Sequence, residues 1–199
     1  MFTAANGIAG DYFEFGSFGG RTFRMAFEAS RSIYRRNQVT PLPHLYAFDS
    51  FEGLPEPVGV DRDHGGWKRG DFTTSLDDFR RIAAAAGVPD DEYTTVAGFY
   101  HVSLTRELQA SLGAVRAAVT YLDCDLYEST RDVLGFVLPF LEQGSIMCMD
   151  DWNCFRAARD RGQRLAAREW LADHPEVELE PWYPFGWHGQ AFIVHRSIG

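Results

Sequence analysis

Residues 117–151 read AAVTYLDCDLYESTRDVLGFVLPFLEQGSIMCMDD, and this stretch decides the fold. Ala117 to Leu122 is a short apolar run, as is Ile146 to Met149, and both have the look of strands buried on two faces. Between them, Tyr127 to Leu141 carries Val133, Leu134, Val137, Leu138 and Leu141 at helical spacing. The order is therefore strand, helix, strand. Each strand runs straight into carboxylates, Asp123-Cys124-Asp125 after the first and Asp150-Asp151 after the second. A right-handed crossover brings these two ends side by side at the carboxyl edge of one sheet. Carboxylates gathered in one crevice repel strongly unless a cation or proton sits among them, and hard oxygen donors favour Mg²⁺ over Zn²⁺. A divalent-metal site is the expectation.

Working outward, the same alternation continues. Toward the N-terminus, Tyr12 to Phe15 reads as a strand, Thr22 to Arg36 as a helix and Leu45 to Phe48 as a second strand. Residues 50–74 are rich in Gly, Pro and charge and form a long loop, a length that in a compact domain usually signals function. Ser75 caps a helix running through Ala86, with Asp77 and Asp78 in its first turn, and Gly87 stops it. Tyr93 to Ala97 is a third strand, Ser103 to Ser111 a short helix and Val115 to Leu122 the fourth strand. Ser145 to Met149 is the fifth. After a helix over Arg161 to Ala172, Val177 to Trp182 and Ala191 to Val194 form a hairpin-like pair joined by an aromatic loop, Tyr183 to Gln190. Such alternation predicts a doubly wound α/β sheet, with residues 1–199 as a single domain and 1–10 as a short leading segment.

Composition narrows the partners. A formal charge of -9 argues against a general nucleic-acid or anionic-membrane surface. Cys124, Cys148 and Cys154 show no paired-ligand spacing, and their odd number suits a reducing compartment. Residues 1–10 lack a secretory pattern and no apolar run approaches the ~20 residues needed to span a bilayer, so the expected location is the cytoplasm.

The first strand-to-helix turn, Glu14-Phe15-Gly16-Ser17-Phe18-Gly19-Gly20, offers close backbone approach and the free N–H groups of a helix start. Asp49 ends the second strand, where an acidic residue in open α/β sheets accepts hydrogen bonds from ribose hydroxyls. The thirty positions from Gly19 to Asp49 exceed the ~20 of a dinucleotide fingerprint, and the glycines do not follow G-x-G-x-x-G. A nucleoside cofactor without a pyrophosphate suits this better.

Taken together, Glu14-Phe15-Gly16 with Gly19-Gly20, Phe48-Asp49-Ser50-Phe51-Glu52-Gly53-Leu54-Pro55, Asp123-Cys124-Asp125-Leu126-Tyr127-Glu128-Ser129-Thr130 and Asp150-Asp151-Trp152 resemble the macrocin O-methyltransferase (TylF/MycF) family over roughly residues 10–170. The resemblance implies a class I, Rossmann-like fold with a mostly parallel seven-stranded sheet and an antiparallel C-terminal strand. It also implies an S-adenosyl-L-methionine-dependent O-methyltransferase that needs Mg²⁺ and acts on a hydroxyl of a sugar or glycosylated natural product. By the same resemblance Asp123, Asp150 and Asp151 hold the metal, and Asp125 is the base, with Asp123 beside it in the catalytic group. Cofactor contacts fall to Glu14, Gly16, Ser17, Gly19, Gly20, Thr22, Asp49, Ser50, Gly98, Phe99 and Asp123. Relatives carry an Asp in a loop that here reads Gly98-Phe99-Tyr100-His101-Val102-Ser103-Leu104, with Val102 at the acidic place, and they carry more helical sequence ahead of the first motif.

Other residues compete for roles. His101, His188 and His195 are each isolated in sequence, a pattern typical of ordinary surface or core histidines, but His188 lies in the aromatic stretch Trp182 to His188, which suits either a sugar face or a dimer seam. Trp67 is a second candidate acceptor contact. A homodimer is expected from these aromatics. Two other function classes fit parts of the pattern: a glycosyltransferase with a metal-binding Asp-x-Asp, and a non-catalytic relative of the methyltransferase fold.

Overall fold

The computed structural model describes residues 1–64 and 66–197. The expected loop 50–74 and domain 1–199 include residues 65, 198 and 199, which lie outside the described residues. The elements run α1 (Phe2–Ala5), β1 (Asp11–Phe15), α2 (Arg21–Asn37), β2 (Leu45–Asp49), α3 (Leu76–Ala85), β3 (Tyr93–Ala97), α4 (Tyr100–Ser103) and α5 (Arg106–Leu112). They continue with β4 (Ala117–Leu122), α6 (Tyr127–Val137), β5 (Ile146–Met149), α7 (Gly162–Asp173), β6 (Val177–Phe185) and β7 (Gly189–Arg196).

The strands form one seven-stranded sheet in the order β3-β2-β1-β4-β5-β7-β6. The first five are mutually parallel, and β7 lies antiparallel between β5 and β6. Strand order reverses between β1 and β4, and ligand crevices of open α/β sheets open at such a reversal. Register makes the crevice specific. Phe15 pairs with both Phe48 and Leu122, and Leu122 pairs with Met149, so the next residues along these strands, Gly16, Asp49, Asp123 and Asp150, line up along one edge.

Strand alternation divides the core between the two faces of the sheet. Phe13, Phe15 and Phe48 pack on one face with Val133, Leu134 and Val137 of α6 and Ala166, Ala167 and Trp170 of α7. Tyr12, Leu45 and Ala47 pack on the other with Phe23 of α2 and Phe79 and Ala83 of α3. The Phe15 and Phe48 rings stack at 4.5 Å, one residue before Gly16 and Asp49, which line the crevice.

Several sequence expectations need correction. The helix expected over Ser103–Ser111 is two helices: Ser103 ends α4, its hydroxyl donating to Gly98 O, and Thr105 caps α5 by accepting from Leu108 N. Side chains that satisfy backbone groups locally split what apolar spacing alone would join. The helix expected to reach Leu141 leaves α-geometry at Val137, and Leu138–Phe140 forms a 3-10 turn because Pro139 lacks an N–H. The aromatic loop Tyr183 to Gln190 is mostly strand, since β6 extends to Phe185 and β7 begins at Gly189. Pro181 and Pro184 argue against a strand in sequence, but β6 has one neighbour only, and an edge strand tolerates missing donors. The expected helix cap at Ser75 is present, its hydroxyl oxygen accepting from Asp78 N at 3.2 Å.

Candidate active site

The cavity at the β1/β4 reversal has a volume of about 590 Å³, within the range of small-molecule and cofactor sites. Its walls include Gly16, Asp49, Ser50, Phe99, Asp123 and Asp125 from the sequence-expected set. Phe18, Leu54, Asp61, Phe72, Tyr100, His101, Leu126 and Ser129 join them without having been anticipated as contacts. Gly16 must be glycine: its φ is +88°, and an added Cβ would sit 1.9 Å from the Asp123 carbonyl oxygen. β1 and β4 meet that closely where they enter the crevice.

Asp49 organises the glycine-rich turn. Its Oδ2 accepts from the backbone N–H of Ser17 at 2.7 Å and of Phe18 at 3.2 Å, while Oδ1 accepts from Phe51 N at 2.7 Å. The carboxylate therefore ties both flanking loops together while still facing the cavity. Glu14 is placed differently from its expected role. The strand pleat turns it to the face opposite Phe13 and Phe15, where it is fully buried, accepts from the Tyr12 hydroxyl and does not line the cavity. Burial pushes its carboxyl up to about 8. Ser17, Gly19, Gly20, Thr22 and Gly98 also stand behind the wall, shaping the turns that Gly16, Phe18 and Phe99 present.

The two acidic clusters do converge. Oxygens of Asp123, Asp150 and Asp151 lie within 4.8 Å of one another. Asp125 joins them through its backbone, whose N–H donates to Asp151 Oδ2 at 2.9 Å. Asp123 is held up to about 9 by burial first and then by the charges of Asp151, Asp150 and Asp125. Asp125 rises to about 8 for the same reasons, and Asp151 to about 6, where the Asp125 N–H partly offsets its burial. An all-oxygen set of three converging carboxylates has the donor chemistry of a hard divalent ion such as Mg²⁺.

Supporting residues hold these carboxylates in place. The Tyr121 hydroxyl donates to Asp150 Oδ1. Tyr121 precedes Asp123 by two positions, so strand alternation alone points it the same way, a signal available in the sequence. Gln163 of α7, almost fully buried, accepts from Asp151 N at 3.0 Å and donates to Leu122 O at 3.1 Å, clamping both strand ends. Nothing in the sequence marks Gln163. His188 is brought by the β6–β7 turn against Asp150, with Nδ1 touching the carbonyl oxygen and lying 3.3 Å from Oδ2. His101 lines the cavity, whereas His195 pairs with Glu180 at 2.7 Å on the outer strands. Trp67 packs edge-on against Phe155 at 5.2 Å.

The long loop is anchored to this site. Asp61, buried, accepts from the N–H groups of Tyr127 at 2.8 Å and Glu128 at 3.2 Å, so it caps α6 from a distant segment.

Strand order, the crevice at the reversal and the acidic edge together define a Rossmann-like O-methyltransferase fold. The solved O-methyltransferase NovP is 23% identical and superposes with a TM-score of 0.77, over 98% of this chain and 76% of that one. CalS11, a calicheamicin methyltransferase, is 25% identical with a TM-score of 0.74, over 96% of this chain and 75% of that one. The sequence profile of the macrocin-O-methyltransferase (TylF) family matches residues 2–174, and the chain belongs to that family. Among characterised relatives, the 8-demethyl-8-(2,3-dimethoxy-alpha-L-rhamnosyl)-tetracenomycin-C 4'-O-methyltransferase of Streptomyces olivaceus is 29% identical over 88% of this chain. The mycinamicin III 3''-O-methyltransferase of Micromonospora griseorubida is 26% identical over 84% of it. The matched part of the chain spans 65% of the length of each of these two relatives.

Proposed function

We propose that this chain is an S-adenosyl-L-methionine-dependent O-methyltransferase that uses Mg²⁺ and methylates a hydroxyl of a sugar or glycosylated natural product. The observation that carries the reading is the double position of Asp123, which lines the cavity and also belongs to the carboxylate cluster with Asp150 and Asp151. A group held by the cluster therefore borders the space where a cofactor and an acceptor meet. The two curated relatives, both named as sugar-position O-methyltransferases, support the acceptor class.

In this reading Gly16 and Ser50 flank the cofactor, with Asp49 facing its ribose and Phe99 beside it. Asp123, Asp150 and Asp151 would hold the divalent ion, which would supply Lewis-acid chemistry, and S-adenosylmethionine would supply the electrophilic methyl group. The protein's own work is alignment and proton removal. The acceptor oxygen must lie roughly 3 Å from the methyl carbon and opposite the sulfur, a near-attack arrangement. The Asp49-braced turn restricts the pose. As the new C–O bond forms and the C–S bond breaks, Asp125 takes the hydroxyl proton. Its carboxyl lines the cavity beside the cluster, where an acceptor hydroxyl would meet it.

The chain is further read as one domain that acts in the cytoplasm as a homodimer. Continuity of a single sheet supports the domain, and exposed Trp182, Tyr183 and Trp187 on the β6 edge and its turn support the dimer. Among the described residues no helix is long and apolar enough to cross a membrane. Calorimetry tests the central reading: S-adenosylmethionine or its demethylated product binds. Nucleotide-sugar binding without S-adenosylmethionine binding would favour the glycosyltransferase class instead.

A further inference from the structure

A second group of donors shares Asp151 with the all-oxygen cluster. Its Oδ2 faces the Asp125 N–H, whereas its Oδ1 accepts from the Cys154 thiol at 3.7 Å. A ring nitrogen of His188 completes the group, and donor atoms of Asp151, Cys154 and His188 all lie within 4.8 Å of one another. Sulfur, nitrogen and oxygen together are the donor set of a borderline or soft cation rather than of Mg²⁺.

We infer that Asp151, Cys154 and His188 form a binding site for a single thiophilic divalent cation of the Zn²⁺ class, separate from the all-oxygen cluster but sharing Asp151 with it. Geometry supports this closely. A tetrahedral ion with bonds of about 2.3 Å to sulfur and about 2.0 Å to oxygen sets those two donors about 3.5 Å apart, close to the 3.7 Å between Cys154 Sγ and Asp151 Oδ1. The three residues are also held by the backbone. Cys154 N donates to Asp151 O at 3.0 Å in a tight turn, and Asn153 N donates to His188 O at 2.8 Å, pinning the β6–β7 turn to that segment. Contact of His188 Nδ1 with the Asp150 carbonyl oxygen restrains the ring beside the two other donors.

Charge balances. A carboxylate and a thiolate neutralise a divalent ion, the thiol proton leaving to water as the metal–sulfur bond forms. Three protein ligands leave a fourth tetrahedral position open. Because Asp151 serves both groups, occupancy here draws it away from Asp123 and Asp150. That consequence for turnover rests on the methyltransferase reading; the binding itself does not.

Co²⁺ is the probe, since its thiolate complexes show a ligand-to-metal charge-transfer absorption that carboxylate complexes lack. The purified chain titrated with Co²⁺ develops this band, saturating at a single equivalent, and Zn²⁺ abolishes it by displacement. The band persists in Cys148→Ser and Asp123→Asn, disappears in Cys154→Ser and needs at least about tenfold more Co²⁺ in His188→Ala. Absence of the band in the unaltered protein, or its survival in Cys154→Ser, overturns the site. With an active acceptor, Zn²⁺ depresses Mg²⁺-supported turnover in the unaltered protein and spares Cys154→Ser. A chain that binds Co²⁺ through Cys154 yet transfers no methyl group refutes the enzyme reading and leaves the site standing.

Discussion

The backbone N–H of Asp125 donates to Asp151 Oδ2 over 2.9 Å, joining two acidic clusters that sit on different strands. Asp125 adopts a left-handed backbone, φ 58°, which turns its N–H toward β5, and Asp is among the residues that tolerate this conformation. One short bond therefore orients the expected base relative to the expected metal ligands.

Removing a carboxylate from the cluster tests the metal's role. Asp123→Asn and Asp150→Asn should each abolish Mg²⁺-dependent turnover, a loss of several kcal/mol of transition-state stabilisation, with S-adenosylmethionine affinity largely intact in Asp150→Asn, whose side chain does not line the cavity. Turnover with Mg²⁺ and with EDTA, beside calorimetric cofactor binding, checks this. Full activity in both variants removes the metal from the mechanism.

Asp125→Asn keeps the backbone N–H to Asp151 but loses the base. Its kcat should fall about 10²- to 10⁴-fold with cofactor and metal affinity unchanged. A fall in metal affinity matching the fall in rate would assign Asp125 to ion binding instead.

The protonation of the crevice makes stability depend on pH. Asp123, Asp125 and Glu14 bind protons more tightly folded, at about 9, 8 and 8, than their ordinary values of 3.8, 3.8 and 4.5. A group raised on folding contributes stability that is complete below the unfolded value and is lost as pH rises through the folded one. Thermal melting in EDTA should therefore show stability falling between about pH 4 and pH 9. Mg²⁺ should raise the melting temperature more at the alkaline end, where the carboxylates are ionised. A melting temperature that rises over this window in EDTA contradicts the account.

Much of this arrangement was legible in the chain. Apolar runs that end in acids at Leu122 and Met149 mark strand ends, and the β4-α6-β5 crossover leaves little choice about where those ends meet. Less legible was everything set by distant packing. Gln163 reaches Asp151 from α7 and His188 reaches Asp150 from a hairpin turn, contacts that no local spacing encodes. Glu14 was read as a cofactor contact because it opens the turn motif, yet strand alternation sends it beneath the sheet with Tyr12. Pro181 and Pro184 hid the length of β6, because edge position is a property of the whole sheet.

Gly16→Ala should disable the crevice through sterics. A Cβ 1.9 Å from the Asp123 carbonyl oxygen forces β1 and β4 apart, on top of an unfavourable φ, at a cost of about 1–3 kcal/mol or more. That corresponds to roughly 2–4 °C of melting temperature per kcal/mol for a chain of this size. Cofactor affinity should fall with it. An unaltered melting temperature and affinity would show that the strands are not so close.

Asp61→Ala removes the acceptor that caps α6 from the long loop. The expected cost is about 0.5–2 kcal/mol, from the uncapped Tyr127 and Glu128 N–H groups, with faster proteolysis of the loop. Protease resistance and melting equal to the parent would mean that the loop is held elsewhere.

The most direct test counts ions. Mn²⁺ added to the chain loaded with the demethylated cofactor loses its free-ion electron paramagnetic signal when bound, so occupancy is read without any acceptor. Binding at one hard-ion site in the Cys154→Ser background, lost on further Asp123→Asn substitution, is the predicted result. Equal Mn²⁺ uptake with and without the Asp123 carboxylate, or none at all, would contradict the claim that the two strand ends join to grip a cation.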